Sequence, residues 1–212
     1  MGGLARAAYN TGAIVIDGGL GSCVEKFCLR KNLKLVGVCP EAQISYPKLS
    51  EHHRMENELT NGHTHFIIVG KEDGKITYEW GQEGTMKFDF AKRITAGRGK
   101  GLGANTFPVQ KIVTVVMGDN QQQSLRDIEL SLNHKIPIIF VEGSTLCNEF
   151  IICLQDNAVD QDEQDSEATN GATKAELIQR IMLAAAKGKV TYTANDSEEL
   201  AQVIHLLLTI SV

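Results

Sequence analysis

Between Gly12 and Cys28 the chain reads GAIVIDGGLGSCVEKFC, an apolar run that breaks into glycines and then takes on helical periodicity. Ile14, Val15 and Ile16 read as a buried parallel strand, and Asp17-Gly18-Gly19-Leu20-Gly21-Ser22 as the turn at its carboxyl end. Such glycines suit an anion because a backbone N–H approaches a phosphate closely only where no Cβ intervenes. The helix that follows adds the positive end of its dipole. The chemistry this pattern supports is nucleotide-phosphate binding at the carboxyl edge of an α/β sheet; the alternative is a tight strand-to-helix turn without a ligand.

Other constellations point to less. His63 and His65 stand two apart on one face of a presumed strand, but no third ligand follows at metal spacing, and no metal site is expected. His52 and His53 lie in a polar stretch and read as solvated. GGLGSC departs from the dinucleotide fingerprint, since the third glycine of GxGxxG falls at Val24, which argues against a dehydrogenase. Gly97-Arg98-Gly99-Lys100-Gly101 lacks the GK[ST] ending of a P-loop, although Arg98 and Lys100 could reach a phosphate from a mobile segment.

The elements that must position these residues alternate along the chain. Leu4 to Asn10 reads as a helix stopped by Gly12 and Val24 to Lys31 as a second helix. Strands are predicted over Lys34–Val38, with pairing halted at Cys39-Pro40, and over His65–Val69. From Lys71 to Phe107 the pattern is a turn, a short strand and a glycine-rich mobile loop over 92–106. Lys111–Met117 and Ile136–Val141 are strands flanking an amphipathic helix, Gln122–Asn133. Each ends in a small polar turn, Gly118-Asp119-Asn120 and Glu142-Gly143-Ser144. An acidic run nearly devoid of large apolar residues predicts a second mobile loop over 155–173. A helix (Ala175–Lys187), a strand (Lys189–Thr193) and a helix from Ser197, whose acidic first turn suits an N-cap, complete the pattern. The fold class is therefore α/β, a Rossmann-like, doubly wound, mainly parallel sheet with helices on both faces, built as a single domain over 1–212. The three glycine-containing turns are expected at the carboxyl edge of that sheet.

Composition narrows the function classes. The chain of 212 residues carries a formal charge of −5 and no basic stripe interleaved with aromatics, which argues against nucleic acid as a partner. Its five cysteines form no CxxC pair and follow no signal peptide, as expected of reduced thiols in a cytoplasmic protein. The apolar runs fall short of the about 20 residues that span a bilayer.

In order, the pieces TGAIVIDGG, KLVGVCP, ELTNGHTHFIIVGKEDGK, VTVVMGDNQQQSLRDIELSL and IPIIFVEGS resemble the SLOG superfamily. Within it the chain is similar to the LSDAT domain that forms the cytosolic amino-terminal region of melastatin-type TRP cation channels (TRPM). The resemblance implies a domain that senses a nucleotide derivative such as ADP-ribose or an NAD-related molecule, with no required cofactor and no catalytic residue. It places ligand contacts at Gly18, Gly19, Leu20, Gly21 and Ser22, at Gly118, Asp119 and Asn120, and at Glu142, Gly143 and Ser144. It is compatible with a homo-oligomer and with membership of a larger membrane channel. Where that family's third turn continues with glycine and arginine, this chain has Thr145 and Leu146, so a phosphate-pairing arginine is missing there.

Two other function classes stay open. One is a channel-assembly domain with a vestigial pocket. The other is a phosphoribohydrolase of the "lonely guy" type, whose PGGxGTxxE pattern at the fourth strand is here replaced by Gly118-Asp119-Asn120-Gln121-Gln122-Gln123-Ser124. That replacement leaves no carboxylate at the spacing which glycosidic cleavage demands.

Overall fold

The computed structural model describes residues 2–20, 23–44, 57–70, 79–96, 111–118, 121–156 and 173–209. The chain divides into two compact units, Met1–Gln110 and Lys111–Val212. Each contains one three-stranded parallel sheet, and seven α-helices accompany them among the described residues. This is the α/β, Rossmann-like class that the alternation of apolar runs and helical periodicities demands.

In the first unit, α1 (Gly2–Thr11) buries Gly3, Ala5, Ala7 and Ala8, small residues that let a helix pack closely. It stops at Gly12, whose φ of +66° lies in the left-handed region that suits glycine. Strand β1 (Val15–Asp17) leads through the glycine turn into α2 (Cys23–Arg30), and β2 (Leu35–Pro40) and β3 (His65–Val69) complete the sheet. The order is β1-β2-β3, with Asp17 opposite Gly37 and Gly37 opposite Phe66. All six residues of β2 are buried, as a central parallel strand requires, whereas β1 is only half-buried. Val36, Val38 and Val69 form a small core, onto which Ile14, Ile16, Ile67 and Phe90 pack.

Two expectations are corrected here. Strand β2 runs two residues past Val38: Cys39 and Pro40 are themselves paired, and pairing ends at Pro40, opposite Val69. Its φ of −74° and ψ of 131° are extended backbone that the pyrrolidine ring readily adopts. Helix α3 (Gly84–Thr95) reaches into the loop expected over 92–106, so residues 92–95 of that loop are helical. Alternation of Met86, Phe88 and Phe90 mimics a strand, while the helix buries Gly84, Lys87 and Phe88 at helical spacing. Residues 97–106, including Arg98 and Lys100, lie outside the described residues.

The second unit pairs β4 (Thr114–Val116), β5 (Ile138–Val141) and β6 (Val190–Thr193) in parallel, in that order. Helix α4 (Gln121–Asn133) connects the first two strands; α5 (Thr145–Asp156) and α6 (Lys174–Ala185) lie between the second and third; α7 (Ser197–Thr209) follows. The core joins Val116, Ile138 and Phe140 of the strands to Ile128, Phe150 and Ile181 of α4, α5 and α6. Phe140 and Phe150 stack with ring centroids 5.2 Å apart, and truncating either to alanine would cost about 3–5 kcal/mol.

Helix α5 was not anticipated, and it carries residues 155 and 156 of the expected second loop; residues 157–172 lie outside the described residues. Thr173, the last residue of that expected loop, is the N-cap of α6. Its hydroxyl accepts the Glu176 N–H while the Glu176 carboxylate accepts the Thr173 N–H, a reciprocal capping box. The cap of α7 is Asp196 rather than Ser197: one Asp196 oxygen accepts the N–H groups of both Glu198 and Glu199 at 2.9 Å.

Candidate functional site

In the first unit the chemistry gathers where β1 ends. Asp17 closes the strand, and its Oδ1 accepts the Gly19 N–H at 2.9 Å, an Asx-type turn that holds the start of the glycine segment. Gly19 is buried with φ +78°, a conformation that only glycine adopts without strain. Gly37 in β2 makes room for this turn, because a Cβ there would stand 2.5 Å from Gly19 Cα and 2.8 Å from Phe66 Cδ1. The Leu20 backbone then bridges to Leu59, which ties the turn to the segment before β3.

That segment delivers His63, a partner that the sequence did not announce. His63 Nε2 lies 2.7 Å from the same Asp17 oxygen, its Nδ1 lies 3.1 Å from Thr60 Oγ1, and its ring centroid is 5.0 Å from that of Phe66. The side chain is fully buried. Burial disfavours the charged imidazolium, but the hydrogen bond and charge of Asp17, the charge of Glu25 and a contact with Thr60 outweigh it, so the pKa is raised above its ordinary value. Glu25, from the first turn of α2, also accepts the Gly62 N–H at 2.6 Å. A Cβ at Gly62 would fall 1.8 Å from Glu25 Cγ, so this carboxylate can reach the backbone only because position 62 is glycine. Two acidic side chains, Asp17 and Glu25, thus anchor the loop before β3 to the turn after β1.

His63 and His65 do not share a strand face. His63 precedes β3 and is buried against Asp17, while His65 opens the strand, is exposed, and contacts Thr64 Oγ1. Cys28 and Cys39 are buried in this unit. Burial, reinforced by Asp17 in both cases and by Glu83 at Cys39, pushes both thiols up to about 11, which makes them packing residues rather than nucleophiles.

In the second unit the candidate residues lie beyond the carboxyl ends of β4 and β5, adjacent parallel strands paired through Val116 and Phe140. Gly118 follows β4, and no described atom comes within 4 Å of a Cβ built there. After β5, the Glu142 N–H donates to Thr193 O at 3.1 Å. Gly143 takes φ +124° and donates its N–H to Asn148 Oδ1 at 3.1 Å. Ser144 is buried and caps α5: its Oγ accepts the Cys147 N–H at 3.1 Å and its carbonyl accepts the Asn148 N–H. The Cys147 thiol in turn donates to Val116 O, fixing the first turn of α5 against β4. Beside this turn opens a cleft of about 490 Å³ lined by Glu142, Gly143, Asn148, Ile152, Gln155 and Asn195.

Of the residues singled out from sequence, Gly18, Gly19 and Leu20 thus lie at the end of β1 and Gly118, Glu142, Gly143 and Ser144 at the strand ends of the second unit. Gly21, Ser22, Asp119 and Asn120 lie outside the described residues. The ties from His63 to Asp17 and from Glu25 to Gly62 are what sequence reading missed; the one signal available was an aspartate placed directly before two glycines. Among the described residues no group of three or more His, Cys, Asp and Glu side chains converges as a metal site, and no helix is long and apolar enough to cross a membrane.

A family model described as SLOG in TRPM, prokaryote, matches residues 1–199, and the chain belongs to that family. A comparison with curated proteins finds no match.

Proposed function

We propose, from this SLOG membership, that the chain is a ligand-sensing domain that binds a nucleotide derivative, ADP-ribose or an NAD-related molecule, as in the cytosolic region of TRPM-type cation channels. On this reading residues 1–212 act as one SLOG/LSDAT domain on the cytoplasmic side of a larger assembly. Its partner is a nucleotide-derived small molecule, and it requires no resident cofactor. The observation that supports it best is the glycine turn at the carboxyl end of β1. A buried left-handed Gly19 leads from a parallel strand toward the N-terminus of α2, and Asp17 and His63 hold its start rigid. Rigidity matters because a preformed anion site spends no binding energy on ordering itself. The Gly19 N–H already serves Asp17, so the reading assigns Gly19 the shape of the turn and leaves phosphate contact to Gly21, Ser22 and the helix end. In the second unit Gly118, Asp119, Asn120, Glu142, Gly143 and Ser144 are the proposed ligand contacts.

A thermal-shift screen of the full chain with NAD, ADP-ribose, cyclic ADP-ribose, AMP and ATP tests this. A ligand at 100 times its Kd stabilises by about 2.7 kcal/mol, so a true ligand raises the melting temperature by several degrees.

A second reading, an assembly domain with a vestigial pocket, draws on a specific observation. The N–H groups of Gly19, Gly143 and Cys147 are all taken by the protein's own Asp17, Asn148 and Ser144. A melting temperature indifferent to every nucleotide in the screen would favour it.

A further inference from the structure

The cleft at the end of β5 has the wrong chemistry for a phosphate and the right chemistry for a sugar. Its charged wall is a carboxylate, Glu142, which repels an anion and accepts hydrogen bonds from hydroxyl groups. Two of the backbone donors that a phosphate would seek are already engaged, Gly143 N–H by Asn148 Oδ1 and Cys147 N–H by Ser144 Oγ. What remains is neutral and directional. Asn148 spends its oxygen on Gly143 and keeps its amide NH2 as a donor. Asn195 brings its Nδ2 to within 3.6 Å of where a Gly143 Cβ would stand, so the two carboxamides flank a backbone with no side chain of its own. Ile152, 55% exposed, supplies an apolar surface in the same cleft. A volume of about 490 Å³ accommodates a nucleoside-sized group.

We infer that this cleft receives the ribose or nucleoside end of a ligand, with sugar hydroxyls donating to Glu142, the carboxamides of Asn148 and Asn195 bonding the remaining polar atoms, and a flat ring covering Ile152. The inference rests on the nucleotide-derivative reading and changes the role of the third turn: it selects the sugar and leaves phosphate to other segments. A vicinal diol suits a carboxylate because two O–H donors can meet its two oxygens. The same preference sets an acidic side chain against the ribose in dinucleotide-binding folds.

The test is amide-resolved NMR on the full chain with three probes: ADP-ribose, adenosine and inorganic pyrophosphate. ADP-ribose and adenosine are expected to shift the Gly143 backbone signal and the Asn148 and Asn195 side-chain signals, while pyrophosphate leaves them in place. Glu142→Gln, a change at an exposed side chain, is expected to weaken adenosine binding about ten-fold, since a charged acceptor is replaced by a neutral one of the same shape. Pyrophosphate moving the same three signals, with tighter binding in Glu142→Gln, overturns the inference in favour of a phosphate turn. ADP-ribose shifts confined to residues elsewhere in the chain overturn the inference while leaving the functional reading intact. Silence toward both ADP-ribose and adenosine across the whole spectrum overturns the two together.

Discussion

One oxygen of Asp17 accepts both the Gly19 N–H at 2.9 Å and a 2.7 Å contact from His63 Nε2. A single carboxylate therefore sets the backbone of the glycine turn and holds the loop before β3. The second role is electrostatic, because it favours the charged form of a buried imidazole that burial alone would disfavour.

The pH dependence of stability follows from this pair. The folded imidazole holds its proton to higher pH than the unfolded one, whose ordinary value is 6.5. Its contribution is therefore complete below that value and is lost as pH rises through the raised folded pKa. Thermal melts from about pH 6 to about pH 9 are expected to show wild-type stability falling with pH, and His63→Gln losing that part of the slope. Parallel slopes for the two proteins would contradict the pairing.

Gly37 is predicted to be intolerant of even one added carbon. The alanine Cβ would press on Gly19 Cα and the Phe66 ring, and the first of these is backbone that cannot rotate away. Gly37→Ala should lose about 1–3 kcal/mol in urea unfolding, the usual cost of overpacking. Unchanged stability would mean that the turn does not lie on β2 as described.

Cysteine reactivity supplies a third check. With Cys28 and Cys39 pushed up to about 11, almost no thiolate exists near neutral pH, and both are buried. Peptide mapping after iodoacetamide treatment should find these two unmodified in the native chain and modified in urea. Rapid native alkylation of either would place it in an open, activated environment instead.

Much of the fold was legible because its determinants are local. His65–Val69 was read with both boundaries as observed, and α4 and α6 to within a residue or two, since a hydrophobic run and its flanking turn residues suffice to define such elements. Helices α3 and α5 escaped for different reasons. In α3 aromatic residues at alternate positions imitate a strand; α5 begins immediately after Ser144, whose polar turn reads equally as a ligand turn and as a helix start. The glycine turn was legible as a motif, but its support was not. His63 is 46 residues from Asp17, and their meeting depends on the register that sets Asp17 opposite Gly37 and Gly37 opposite Phe66. Nothing in the neighbourhood of either residue encodes that register, so His63 was read with its sequence neighbour His65 instead.

On the proposed reading the chain binds a nucleotide derivative by way of the Gly19 turn. Gly19→Val places a β-branched side chain at φ +78° in a buried position, which must displace the turn. Calorimetric titration of ADP-ribose and NAD into the wild-type full chain and into Gly19→Val, with circular dichroism confirming that the variant is folded, tests the claim most directly. Saturable binding of at least one of the two by the wild type is expected, at least ten-fold weaker in the folded variant. Binding of equal strength by the two proteins, or no heat from either ligand with the wild type, would contradict it.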